Sequence, residues 1–440
     1  MSLISNPAIV SIILLCVLCL KKVNVLLAII ISTIVAGIMS GMSIKEVMDV
    51  FISGMGGNSE TALSYILLGT FAATMVHSGV TSKLSEVITT IISGKKYLLL
   101  LVLALISIAS QNIIPIHIAF IPIIIPPLLQ LMNNMNLDRR SVACVLAYGL
   151  KMPYITLPVG FGLIFQNLIA DNMIQNGVYV LRSDIWKYTF ILGVAMTVGL
   201  LIALFVTYRK PRMYNDAGLN QSLASDKVTE CSKYKLCGII LAAIMTFVVQ
   251  IFTNSLPLGA LVGLGIIFSL RIVPKDKMDN MMNEGIYLMG YVAFVMLVAA
   301  GFASVLKQSG SIENLVNMVV AVMPESLFLM SFIILILGLF MTIGIGTSFG
   351  TIPILAVLFV PICIKSGFNT AQIALLLAAS AALGDAGSPA SDTTLGPTAG
   401  LNADGQHNHI FDTCIPTFLH YNIALIVFAL IGVYFFNLIL

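Results

Sequence analysis

The chain has 440 residues, of which 59% are hydrophobic and 9% charged, with a formal net charge of +3. Its mean hydropathy is +1.03. Water-soluble domains carry roughly a quarter of charged residues to cover their surface, so a soluble protein is excluded, and no basic patch suits nucleic acid.

The first apolar run, Ile9–Leu20, has no basic residue before it and is followed by Lys21-Lys22. It reads as a first membrane helix and not as a secretory signal. Cys16 and Cys19 form a CxxC inside it and read as small apolar residues. The next run is Val25–Met39. Glu60 then opens a long apolar segment as a capping or mouth residue, and His77 falls at its far end, just before Ser78-Gly79. Tyr97–Ile108 leads into a polar break, Ser110-Gln111-Asn112-Ile-Ile-Pro115-Ile-His117. A second break runs from Tyr148-Gly-Leu-Lys151-Met-Pro153 to Leu157-Pro-Val-Gly-Phe-Gly162. After Phe190–Val206 comes the most polar stretch, Tyr208–Lys235, with six Lys and Arg residues. The second half offers Cys237–Phe252 and Leu256–Leu270, then Lys307 before Ser309-Gly310. Broken segments follow at Gly344–Pro353 and Gly384–Pro397. A polar cluster of Asp404, His407, His409 and Asp412, read as an outer or re-entrant loop, precedes Ala424–Leu440. With flanks, the runs reach the roughly 20 residues a spanning helix needs. They predict about ten to twelve helices. A β-barrel would show short alternating strands instead.

The halves are copies of one unit. Phe71-Ala72 matches Phe302-Ala303, Ser78-Gly79 matches Ser309-Gly310, and Ile121-Pro122 matches Ile352-Pro353, all 231 positions apart. Beyond these the copies are expected to drift, with Asn136 opposite Asn369, Gly149 opposite Gly384 and Pro153 opposite Pro389. Basic loops mark the cytoplasmic side. Lys21-Lys22 and Lys95-Lys96 have no basic counterpart in the second copy, whereas the first-copy counterpart of the loop with Arg271, Lys275 and Lys277 is nearly neutral. The copies are therefore expected to be inverted, with both termini outside. Residues 1–207 form the first repeat, 208–235 a cytoplasmic connector and 236–440 the second repeat. Inverted repeats that meet at broken helices make a transporter architecture with a midplane site.

Irregular backbone survives at membrane depth only inside protein or beside a wet cavity, so the breaks locate the candidate site. Asp385, Ser388, Ser391, Asp392, Thr393, Thr394, Thr347, Ser348 and Thr351 offer oxygens suited to a small hard cation. Asp385 and Asp392 are the candidate Na⁺ ligands. A carboxylate in the membrane is costly to ionise and can hold a proton or Na⁺ but not both, the simplest basis for exchange. Lys151 falls near Asp385 in the repeat register. It could pair with that carboxylate, stand in for a second cation, attract an anionic solute or snorkel toward an interface. His117, with Gln111 and Asn112, could carry protons or serve as a hydrogen-bonded structural residue.

Gly384-Asp-Ala-Gly-Ser-Pro-Ala-Ser-Asp-Thr-Thr394 resembles the Gly-Asp-x-x-Ser-Pro-x-Ser-Asp-Thr-Thr motif of NhaC-type Na⁺/H⁺ antiporters, and Gly346-Thr-Ser348 is similar to that family's first broken segment. The first half, with Ser110–Pro115 and Leu157–Gly162, is similar to an Na⁺/H⁺ antiporter-like branch that includes amino-acid transporter candidates. The resemblance implies an all-α integral membrane fold of two inverted-topology repeats with re-entrant or broken hairpins. It also implies site roles for Asp385, Ser388, Ser391, Asp392, Thr393 and Thr394. In this sequence Leu395-Gly-Pro397 replaces the family's Asn-led continuation, and Lys151 stands where oxygens are usual.

The expected function is an ion-coupled secondary active transporter, Na⁺/H⁺ antiporter-like. The alternative is Na⁺- or H⁺-coupled movement of an amino acid or small organic acid. No ATP-binding loop or hydrolase motif is present, so no enzyme is expected. No cofactor is expected beyond Na⁺ and H⁺ as transported or coupling ions. Expected partners are the bilayer, an ion or small solute, and a second copy in a homodimer. The expected location is the bacterial inner membrane, as a multi-pass protein.

Overall fold

The computed structural model describes residues 6–21, 23–78, 95–112, 117–215, 232–253, 255–311, 314, 326–345, 347–389 and 391–439. They form helices and turns, with no strand among them. The first half holds α1 (Pro7–Leu20), α2 (Val25–Met39), α3 (Ile44–Met55), α4 (Ser59–His77) and α5 (Lys96–Asn112). It continues with α6 (His117–Asn134), α7 (Arg139–Thr156), α8 (Phe161–Gln175) and α9 (Ile185–Ile202), the last extended by a π-helical turn, Ala203–Thr207. The second half holds α10 (Lys233–Thr253), α11 (Leu256–Ser269), α12 (Met278–Gln308) and α13 (Leu327–Ile345). After these come α14 (Ser348–Lys365), α15 (Thr370–Ala382), α16 (Asp392–Leu401), a π-helical turn His409–Cys414 and α17 (Ile415–Ile439).

Among the described residues, five helical stretches are long and apolar enough to cross a membrane alone, and α7 with α8, bent by 46° at their junction, makes a sixth if the pair is one span. Six shorter apolar helices accompany them, α5 and α13 among them. The outer faces carry exposed Leu, Ile and Phe, such as Leu101, Leu241 and Phe340. Lipid solvates such side chains as well as a core would, so nothing drives them inward.

The helix limits repeat. Val25 and Leu256, Lys96 and Leu327, His117 and Ser348, and Arg139 and Thr370 each begin a helix, and each pair lies 231 positions apart. His77 with Gln308, and Asn134 with Lys365, end helices at the same spacing. The capping chemistry repeats too. Asp138 and Asn369 are both side-chain N-caps, and Asn136 and Gly367 both take positive φ in the turn before them. The expected pairing of Asn136 with Asn369 is thus corrected: Asn136 corresponds to Gly367, because the left-handed turn position accepts either Gly or Asn. Later helices keep the spacing in their starts, Phe161 of α8 and Asp392 of α16, but differ in length. α7 has 18 residues and α15 has 13, so the second copy frees a longer segment before α16.

Packing follows the same spacing with roles exchanged. A Cβ on Gly149 of α7 would lie 2.4 Å from Ser107 Cβ of α5, and one on Gly338 of α13 would lie 2.4 Å from Ser380 Cβ of α15. Ser107 and Gly338 are equivalent, as are Gly149 and Ser380, so each copy sets a glycine against a serine, and the expected pairing of Gly149 with Gly384 is corrected to Ser380. Glycine is needed because the backbones approach closely. The same logic holds α12, the counterpart of α3 and α4 together. Gly301 of α12 meets Gly54 of α3, and Gly285 of α12 meets the Thr70 backbone of α4.

Candidate functional site

Three elements converge on Asp385. α15 stops at Ala382 because Gly384, at φ +78, turns the chain out of the helix. A side chain there would strike Leu339 O and Ile343 N, both 2.6 Å away, so only glycine fits. Asn422 of α17 holds the turn, its Oδ1 accepting from Gly384 N at 3.2 Å and its Nδ2 donating to Ala386 O at 2.9 Å. Asp385 is thereby fixed at the break, 3% exposed.

Its carboxylate accepts four donors. Lys151 Nζ of α7 donates to Oδ2 at 2.7 Å, and both side chains are buried, at 1% and 4%. Tyr154, one turn further along α7, donates its phenol to the same oxygen at 2.9 Å. Ser348, the first residue of α14, donates at 2.6 Å. On the other side Ser391, the N-cap of α16, donates to Oδ1 at 2.5 Å. Two helices, the 18-residue α14 and the 10-residue α16, therefore bring their positive N-terminal ends to one buried carboxylate.

A second layer orients these donors. Ser391 Oγ accepts from Thr393 N at 3.1 Å and lies 2.8 Å from Thr393 Oγ1, which reaches Asp385 O at 3.3 Å. Thr394 Oγ1 donates to Ser388 O at 2.6 Å and to Ser391 O at 2.9 Å, and Ser388 Oγ donates to Ile343 O at 3.2 Å. Freed carbonyls and hydroxyls thus surround the charge pair, and the hydroxyls of Ser388, Thr393 and Thr394 reach carbonyls at the break.

Of the residues singled out from the sequence, the structure brings Lys151, Ser348, Ser391 and Thr393 together around Asp385, with Ser388 and Thr394 holding the break. Thr347 occupies the N-cap position of α14, but its side chain makes no capping bond. Asp392 begins α16 and His117 begins α6, while Asn112 ends α5. The side chains of Asp392, His117 and Asn112 lie outside the described residues. Gln111 is buried near the end of α5, its Oε1 without a partner among the described residues. Tyr154 is the site residue that motif reading missed. It lies 231 positions before Asp385, so each is the other's counterpart. The repeat spacing applied to Asp385 was the signal that could have found it.

The cluster of Asp404, His407, His409 and Asp412 packs against Arg139 and the first residues of the connector. It lies at the connector end of the molecule. Arg139 is fully buried and forks onto Asp404 at 2.7 and 2.6 Å, also donating to Leu401 O and Asn133 Oδ1. Tyr214 at the start of the connector lies over the Arg139 guanidinium at 4.2 Å, and Arg212 pairs with Asp412 at 2.7 Å. Gln406 and Asn215 exchange hydrogen bonds at 2.8 and 2.7 Å. These pairs close the ends of α7 and α16 under the connector. No group of three or more metal-ligating side chains occurs among the described residues.

The sequence model of a family described as "Na+/H+ antiporter family" matches residues 144–433, and a second, "Na+-H+ antiporter family", matches residues 6–92. An uncharacterized membrane protein of Vibrio parahaemolyticus is 43% identical, covering 97% of this chain and 99% of its own length. "Putative amino acid transporter YuiF" of Bacillus subtilis is 42% identical, covering 97% and 99%. An uncharacterized membrane protein of Haemophilus influenzae is 39% identical over 98% and 99%. Among solved structures, the Alcanivorax borkumensis YdaH transporter superposes with a TM-score of 0.59 at 12% identity, covering 98% of both chains. Neisseria gonorrhoeae MtrF does so at 0.59 and 14%, covering 88% of this chain and 83% of its own.

Proposed function

This chain belongs to the Na⁺/H⁺ antiporter family and is a secondary transporter, and from that premise we propose that it exchanges Na⁺ for H⁺ at Asp385. The observation that carries this reading is the Lys151–Asp385 pair at 2.7 Å, buried and ringed by the hydroxyls of Tyr154, Ser348 and Ser391.

The pair is an internal salt. A buried charge must be compensated, and in the resting arrangement the Lys151 ammonium compensates Asp385. Na⁺ is a hard cation that takes oxygen ligands, and the carboxylate with its three hydroxyls supplies them. Once Na⁺ takes the carboxylate, Lys151 loses its counter-charge and its proton becomes the one released. Reversing the order returns the proton and expels Na⁺. Because Asp385 sits where the copies meet, rocking one copy against the other exposes it to either face in turn.

The reading places residues 1–207 and 236–440 as inverted repeats joined by a cytoplasmic connector at 208–235. It puts the protein in the bacterial inner membrane as a carrier that makes and breaks no covalent bond, acting on ions or small solutes and not on nucleic acid. A homodimer is part of the same proposal.

A second reading is favoured by the pair itself and by the relative named as an amino acid transporter. A zwitterionic solute could replace both partners at once, its ammonium on Asp385 and its carboxylate on Lys151. Proteoliposomes with an internal pH dye separate the two. Na⁺-driven proton movement without organic solute supports exchange. A signal that appears only when amino acids are added supports the second reading. Unchanged transport in Asp385→Asn overturns both.

A further inference from the structure

On the face opposite the connector a small cavity of about 50 Å³ opens between α8, α12 and α14. Its lining includes Asn172 and Asn176 of α8, Ser304 and Lys307 of α12, and Pro353 and Val357 of α14. One water needs roughly 10–15 Å³ of such space, so the cavity has room for several waters.

The two helices carry the same stripe inward. On α14, Phe349, Pro353 and Val357 are spaced by four, one above another on a single face. The cavity floor at Pro353 is one turn, about 6 Å, above Phe349. On α8, Asn172 lies seven residues beyond Phe165, which is four beyond Phe161, again on one face. Below the cavity five rings pack together. Phe349 is their hub, with ring centroids 5.5 Å from Tyr65, 5.2 Å from Tyr154, 6.2 Å from Phe161 and 5.8 Å from Phe165. All five are buried, Phe349 being the most exposed at 6%. Directly behind the hub, Ser348 and Tyr154 hold the Asp385 carboxylate.

We propose that this cavity is the outer end of the solute path and that the Phe349 ring is the gate between it and Asp385. A packed apolar constriction blocks ions because they cannot shed their water there, so passage requires the Phe349 ring to leave its neighbours. The gate is tied to the site on both sides. Ser348 precedes Phe349 in the chain, and Tyr154 offers its phenol to Asp385 and its ring to Phe349. Any change of partner at Asp385 therefore moves the two residues that seat the gate. This inference rests on the reading of Asp385 as the transport site, but its test does not depend on transport.

Single cysteines at Ser304, in the cavity, and at Ser348, behind the ring, are exposed in right-side-out vesicles to a membrane-impermeant thiol reagent. Modification is read at each site by mass spectrometry. Ser304→Cys is expected to react whether or not Phe349 is changed, which also reports that the variant is folded. Ser348→Cys is expected to react at least ten-fold faster when combined with Phe349→Ala. Phe349→Leu, which keeps the volume largely filled, is expected to give an intermediate rate and serves if the alanine variant does not fold. Equal reactivity of Ser348→Cys with Phe349 intact overturns the gate, as does its protection in both Phe349 variants. Reaction of Ser304→Cys only from the connector side overturns the path. Failure of the Asp385 reading alone would silence Na⁺-driven transport effects and leave this labelling pattern unchanged.

Discussion

Removing Lys151 tests the charge pair in energetic terms. The ammonium lies 2.7 Å from Asp385 Oδ2, and at an effective dielectric of about 20 that attraction is roughly 6 kcal/mol. Lys151→Met keeps most of the side-chain volume and leaves three hydroxyl donors on the carboxylate. They compensate part of the loss, so the variant should be destabilised by about 3–5 kcal/mol, the usual cost of stripping one partner from a buried pair. Asp385→Asn should cost a similar amount, because it strands the ammonium. The double variant Lys151→Met/Asp385→Asn buries no uncompensated charge and should be more stable than either single variant. Denaturant unfolding of the purified protein in mixed micelles measures all four corners of the cycle. Single losses that simply add, within about 0.5 kcal/mol, would show that the two residues do not interact and would refute the internal-salt account.

Four further outcomes are expected. Tyr154→Phe removes a donor from Asp385 without changing the ring that packs on Phe349, so it should cost about 1–3 kcal/mol and weaken Na⁺ activation of transport while leaving Ser304→Cys labelling unchanged. Gly285→Ala forces a methyl to within 2.4 Å of Thr70 N, where backbone cannot yield; a loss of about 1–3 kcal/mol is expected, and a neutral thermal scan would contradict the close crossing of α4 and α12. Arg139→Lys keeps the charge but loses the fork onto Asp404, so thermal stability should fall although total charge is unchanged. His407, in the turn after α16, is held by burial down at about 4, below its ordinary 6.5, with Asp412 opposing that shift and Arg139 and Arg212 adding to it. The folded protein thus binds this proton less readily than the unfolded chain. His407 should cost no stability above pH 6.5 and progressively more as pH falls toward 4, and His407→Asn should flatten that limb of the stability profile.

Much of the architecture is legible in the sequence because a membrane leaves few choices. Long apolar runs have to be helices, and a constant spacing of 231 between matching residues carries directly into matching helix limits such as Val25 and Leu256. Asp385, Ser348, Ser391 and Lys151 were legible because polar residues at a broken helix have few other reasons to be there. Tyr154 was hidden by the pairing of Pro153 with Pro389. That pairing tracks a shared proline, whereas the spacing of 231 continues past the early stop of α15 to the starts of α8 and α16 at Phe161 and Asp392. The pairing of Arg139 with Asp404 was hidden for a different reason. The partners are separated by 265 positions, and nothing local to Asp404 distinguishes a carboxylate in a loop from one that neutralises a buried arginine. The aromatic hub at Phe349 was equally invisible, since a phenylalanine in an apolar helix is lipid-facing as often as it is packed inside.

The claim on which the account stands is that Na⁺ and a proton compete at the Asp385–Lys151 pair. Proton release on adding Na⁺ to the purified, weakly buffered protein in detergent measures that competition without a membrane or a gradient. A saturable acidification in the native protein that vanishes in Asp385→Asn is the predicted result. Na⁺ binding with no proton released, or a release that persists in Asp385→Asn, would contradict it.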